Sequence, residues 1–66
     1  MNQKQQASRI LNTLKVKLFD CQSRCDQEQA FDLLAEAIED LACVVGSYAG
    51  CEQIREDIEC WISDNI

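Results

Sequence analysis

The stretch QEQAFDLLAEAIEDLACVVG, residues 27–46, decides the fold of this 66-residue chain. Its apolar residues recur every three or four positions, which predicts an amphipathic helix. They occupy an arc of about 200° on that helix, which is more than one neighbouring helix covers. The members of the arc are Ala30, Phe31, Leu33, Leu34, Ala35, Ala37, Ile38, Leu41, Ala42, Val44 and Val45. We therefore expect this helix to lie between two neighbours, either the flanking segments of the chain or a second subunit.

The two flanking segments show the same helical period. The stripe before the central stretch consists of Ala7, Leu11, Leu14, Leu18, Cys21 and Cys25. The stripe after it consists of Cys51, Ile54, Ile58, Trp61 and Ile62. The spacing predicts helices at roughly 3–24, 27–46 and 50–64 within one domain, residues 1–66. The expected fold is all-α, a helical hairpin followed by a shorter third helix.

Residues between these segments predict where the helices begin and end. Asp26 followed by Gln29 is typical of a capping box, in which each side chain accepts a backbone N–H of the other residue. Gly46 is suited to the left-handed position that ends a helix. Ser47 is then a candidate start for the last helix.

The small size of the chain favours self-association. Folding hides only about 60% of the surface of so short a chain, and small domains often gain core by forming oligomers. Proline is absent and only two glycines occur, which are too few turn residues for a β-sheet protein of this size. A helical fold is therefore favoured. We expect a helical homodimer.

Charge is divided along the chain. Residues 1–25 hold five bases and one acid, a sum of +4, whereas residues 26–66 hold one base and eleven acids, a sum of −10. We expect the first helix to be attracted to the acidic sides of the other two, within one chain or across a dimer. Attraction of this kind orients surfaces more than it stabilises them.

Five acids share the polar side of the second helix. They are Glu28, Asp32, Glu36, Glu39 and Asp40. One interpretation is a solvated face that keeps a small protein in solution. The other is a binding site for a basic partner, such as a nucleic-acid groove in which carboxylates take the place of phosphates. The sequence leaves both interpretations open.

The first helix has a second, uncharged face beside its apolar stripe. Its members are Ser8, Asn12, Val16, Phe19 and Ser23. Val16 and Phe19 are three residues apart and therefore neighbours on a helix. They are either isolated exposed hydrophobes, which are common on protein surfaces, or a contact surface for another subunit or a target protein.

Two further aromatic residues are interface candidates. Tyr48 continues the spacing of Leu41 and Val45, and Trp61 lies in the stripe of the third helix. Their phase predicts packing in the core. Because aromatic residues are frequent at binding hot spots, an interface role is the alternative.

Composition argues against catalysis and against a resident metal or cofactor. There is no histidine, so a cysteine nucleophile has no ordinary general base, and no glycine-rich phosphate loop occurs. The five cysteines have 3, 17, 7 and 8 residues between them, unlike structural zinc sites. Their odd number argues against a disulfide framework. We expect them to act mainly as small buried hydrophobes, with redox chemistry as the alternative, and we expect no enzyme activity and no cofactor.

Membrane insertion and direct DNA binding are also disfavoured. The longest apolar run, residues 42–45, is far shorter than the ~20 residues that span a bilayer, and MNQKQQASR at the start has no apolar signal region. We expect a cytoplasmic protein of a bacterial or host cell. Ala42 and Gly46 resemble part of a helix-turn-helix, but the third helix would carry four acids toward the phosphates.

Two classes of small helical protein provide functional expectations. In size, acidity and helical content the chain resembles phage and mobile-element inhibitors of host nucleic-acid enzymes, anti-CRISPR proteins among them. Residues 34–50, LAEAIEDLACVVGSYAG, resemble the second helix of small chaperones of bacterial secretion systems. The first likeness implies inhibition of a protein partner, and the second implies that the apolar arc holds cargo. We expect a binding module that inhibits or modulates a larger protein.

Overall fold

A computed structural model describes residues 2–66, and within them the chain forms three α-helices and no strand. Helix α1 spans Gln3–Arg24, α2 spans Gln27–Val45 and α3 spans Glu52–Asn65. A short 3₁₀ turn, Ala49–Cys51, precedes α3. The all-α prediction and the three helices are confirmed. None of the helices in this part of the chain is both long enough and apolar enough to cross a membrane.

Local hydrogen bonds fix the N-termini of α1 and α2. Asn2 accepts the backbone N–H of Gln5 at 2.8 Å, and the Gln5 side chain accepts the Asn2 N–H at 3.3 Å. This is a complete capping box, which was not predicted from the sequence. At α2, Asp26 accepts the Gln29 N–H at 3.0 Å, which is one of the two bonds of the capping box predicted there.

The end of α2 redirects the chain. Gly46 lies in the left-handed region with φ 83°, as predicted, and its N–H donates to Ala42 at 2.7 Å. The prediction that Ser47 starts the last helix is wrong. A 3₁₀ turn, in which Cys51 donates to Tyr48 at 3.0 Å, comes first, and α3 begins at Glu52. The Ser47 carbonyl instead accepts the Cys51 thiol at 3.7 Å.

The core lies between the inner side of α2 and the other two helices. Its buried residues are Leu14, Leu18, Cys21, Ala30, Leu34, Ala37, Ile38, Leu41, Ala42, Cys51 and Ile62. Residues from α1 and α3 thus cover most of the 200° arc of α2. Phe31 and Ala35 remain exposed toward one margin of the arc, and Val45 is exposed at the last position of the helix. Of the two kinds of neighbour that the arc required, the structure provides the flanking helices of the same chain.

The molecule is flattened, with Cα extents of 34 × 22 × 14 Å. Helices α1 and α3 both pack on α2 but make few close backbone contacts with each other. They form one side of the molecule, and the polar side of α2 forms the opposite side. The accessible surface is 4477 Å², close to the ~4,250 Å² typical of a monomer of this mass. A single chain therefore reaches ordinary compactness.

Candidate protein-binding surfaces

The acidic face of α2, defined as Glu28, Asp32, Glu36, Glu39 and Asp40, is exposed at every position. At 100° per residue these side chains span about 120°, on the opposite side of the helix from the buried Leu41. The four ion pairs found in residues 2–66 use other carboxylates. Within the described residues, no ion pair therefore offsets the negative charge of the acidic face.

One edge of the acidic face borders α1. Glu36 and Asp40 line the same groove between α1 and α2 as Arg9 and Lys17. Opposite charges thus face each other across this groove, as the division of charge along the chain predicted. Within residues 2–66 the ion pair that reaches from α1 toward α2 lies at the connection, where Arg24 is 3.7 Å from Asp26. The attraction between the helices is therefore diffuse rather than a set of close pairs.

The carboxylates of α3 are held differently from those of α2. Arg55 lies 2.7 Å from Glu52 and 2.7 Å from Glu59, one on each side along the helix. The hydrogen bond with Glu52 and the charges of both carboxylates raise the pKa of the Arg55 guanidinium. Two of the acids of α3 therefore share one cation, whereas the acidic face of α2 has no cation within 4 Å among the described residues.

The side opposite the acidic face contains an apolar groove between α1 and α3, with a volume of about 290 Å³. It is lined by Leu11, Leu14, Lys15, Leu18, Phe19, Asp57, Ile58 and Trp61. We call this surface the groove face. Of the two charged residues that line it, Lys15 belongs to α1 and Asp57 to α3.

Side chains close one end of the groove. Phe19 meets Trp61 edge to face, with ring centroids 5.9 Å apart and an interplanar angle of 89°. One turn further along, the Gln22 side chain donates to the Asn65 carbonyl at 3.4 Å. These contacts join α1 and α3 at that end, while the leucines of α1 and Ile58 remain around the open part of the groove.

The aromatic interface candidates occupy different environments. Trp61 is partly buried and packs against the core, as predicted. Phe19 is 51% exposed and Val16 is 70% exposed, so the uncharged face of α1 is open to solvent. The prediction that Tyr48 packs in the core is wrong, because it is 62% exposed. Since α2 ends at Val45 and Gly46 turns the chain, Tyr48 no longer follows the helical phase that placed it in the stripe.

The cysteines divide into buried and exposed groups. Cys21 and Cys51 are buried, but Cys25, Cys43 and Cys60 are exposed, so the prediction that the cysteines are mainly buried is wrong for three of the five. The placement of Cys25 in the buried stripe is wrong, because this residue ends α1 in the left-handed conformation, with φ 55°. No disulfide and no group of three or more potential metal ligands is present in residues 2–66.

The groove itself was not predicted from the sequence. The available signal was the series Leu11, Lys15 and Phe19, which begins in the main apolar stripe and moves away from it at intervals of four. Such a series shows that the apolar surface of α1 widens on one side. It does not show that α3 stays far enough from α1 to leave that surface open.

No protein-family model matches the chain, and neither a curated protein nor a solved structure was found to be similar to it. Function is therefore inferred from the acidic face and the groove face alone.

Proposed function

We propose that the protein is a stoichiometric binding module that inhibits or modulates a larger protein, with the acidic face as its main contact. The observation that supports this is the row of five exposed carboxylates without an ion pair among residues 2–66. Charges that are not neutralised within the chain attract a basic partner at long range and orient it during encounter.

The spacing of the row suggests the chemistry of the partner. Glu28, Asp32, Glu36 and Asp40 follow one another every fourth residue, about 6 Å apart along the helix axis. A rigid row of negative charge complements a groove lined by lysine and arginine, such as the nucleic-acid groove of an enzyme. Occupation of that groove would exclude the nucleic acid. Phage inhibitors of host nucleic-acid enzymes, of the anti-CRISPR kind, would act in this way in the cytoplasm.

The proposal also includes a homodimer as the working form. The groove face leaves Phe19 half exposed beside an apolar depression. An exposed apolar surface of this kind is typical of an interaction site.

A second candidate function is that of a small chaperone or adaptor of a secretion system. The apolar groove favours it, because the groove lining is almost entirely aliphatic and aromatic. In that case an apolar segment of the cargo would occupy the groove, and its binding would respond little to salt.

The test uses two variants with the same net charge. Glu28→Gln/Asp32→Asn neutralises part of the acidic face, and Glu56→Gln/Asp64→Asn neutralises two exposed acids of α3. The tagged wild-type chain captures its partner from the native host, mass spectrometry identifies it, and the purified partner is titrated with each chain. We expect the α2 variant to bind about tenfold more weakly and the α3 variant to bind nearly as the wild type does.

Salt and nucleic acid provide the remaining readouts. Binding should weaken steeply between roughly 0.05 M and roughly 0.5 M salt, and duplex DNA or RNA should compete for the same site on the partner. Equal losses in both variants would attribute the effect to net charge alone. Salt-independent binding that is lost on changing Phe19 would support the chaperone instead.

A further inference from the structure

We propose that the groove face is the dimer interface, and that the two copies are related by a two-fold axis that runs along the groove. This inference rests on the homodimer included in the proposed function and identifies its geometry. It also sets the number of partners that one assembly binds.

The apolar part of the groove face is suited to meeting its own copy. The groove and the exposed edge of Phe19 lie side by side on the same surface. A two-fold interface brings one surface patch against the same patch of the other copy. The Phe19 and Trp61 pair of each chain would then meet the equivalent pair, so that four aromatic rings pack together at the closed end of the groove.

The charged residues select the direction of the axis. Lys15 and Asp57 line the same groove from opposite helices, α1 and α3. A two-fold axis along the groove leaves each residue at the same height along the groove. It also places α1 of each copy against α3 of the other. Lys15 of one copy then faces Asp57 of the second, and this contact occurs twice. An axis across the groove would place Lys15 against Lys15, which is repulsive.

A stable interface through the groove face has to extend beyond the groove over most of this side of the molecule. A standard protein interface buries about 800 Å² on each partner. The whole broad side of the molecule, of which the groove is only a part, measures 34 × 22 Å between Cα atoms. The narrow third extent of 14 Å shows that the other sides offer less.

Dimerisation through the groove face has a consequence for stoichiometry. The acidic face lies on the opposite side of α2 from the core, so this interface leaves it uncovered. In the dimer the two acidic faces point outward in opposite directions. The assembly therefore binds two partner molecules, one on each side, in a 2:2 complex.

The decisive experiment exchanges charge at the groove and measures mass by sedimentation equilibrium. The wild type is expected at about 15 kDa, twice its 7.5 kDa. Lys15→Glu and Asp57→Lys are each expected to weaken dimerisation about tenfold, because two attractive contacts become repulsive. An equimolar mixture of the two variants should recover the dimer, since the heterodimer restores both opposite-charge contacts. If Lys15 and Asp57 act only within one chain, mixing gives no recovery, and this result overturns the proposal.

An aromatic variant provides an independent arm. Phe19→Glu is expected to be monomeric, whereas Tyr48→Glu, which alters an exposed aromatic residue outside the groove, should remain dimeric. Far-UV circular dichroism confirms that both variants are helical. A wild type that stays monomeric at about 100 μM overturns the dimer. This holds even if Phe19→Glu abolishes partner binding, a result that would show the groove to be a partner site. Salt-sensitive binding of the partner through the acidic face is measured separately. Its result supports or contradicts the proposed function whether or not the protein is a dimer.

Discussion

The groove face and the acidic face lie on opposite sides of the same small molecule, and they differ in how tightly they are tied to the fold. The groove face shares leucines with the core, so changes there affect packing as well as any contact. The acidic face consists of side chains that point away from the core and make no ion pair within the described residues. Helix α2 thus separates the side that specifies the fold from a side that is available for recognition.

The largest effect is expected where α2 faces the core. Leu41 is 1% exposed, and Leu41→Ala should lower the free energy of unfolding by about 2–5 kcal/mol. This approaches the whole stability expected of so small a domain, so the variant should be largely unfolded. Val45→Ala on the same helix, at 43% exposure, is the control and should cost less than about 1 kcal/mol. Urea denaturation followed by circular dichroism compares them, and equal losses would contradict the assignment of the core.

An intermediate effect is expected on the groove face. Phe19→Ala removes the edge-to-face contact with Trp61 and should cost about 1–2 kcal/mol, because Phe19 is only half buried. Trp61 is the sole tryptophan, so its fluorescence reports directly on this site. We expect its emission to shift to longer wavelength in Phe19→Ala. An unchanged spectrum would show that the two rings do not pack together in solution.

The smallest effect is expected on the acidic face. Asp32 has like charges four residues away on both sides, at Glu28 and Glu36. Asp32→Asn removes two repulsions of about 0.2–0.5 kcal/mol each, so stability should rise slightly or stay unchanged at low salt. The difference in Tm from the wild type should vanish at high salt. A loss of stability above about 1 kcal/mol would show that this carboxylate has a structural role. It would contradict the conclusion that the acidic face, unlike the groove face, is independent of the fold.

Helical periodicity predicted the parts of the site that depend on one helix at a time. The acidic face follows from the phase of α2 alone, and all five predicted residues are exposed. The open position of Val16 and Phe19 likewise follows from the phase of α1. Predictions failed where a residue left its helix: Cys25 and Tyr48 kept the helical spacing in sequence, but each lies where the helix has already ended.

The sequence by itself determined three helices, the central position of α2 and the side of α2 that carries charge, because a repeat near 3.6 residues fixes which side chains share a helix face. The tertiary structure alone decided where α1 and α3 lie on α2. Their separation leaves the groove open, sets Lys15 across from Asp57, and brings Phe19 to Trp61. These relations join residues about forty positions apart in the chain, and they depend on how the helices pack rather than on the periodicity of any one of them.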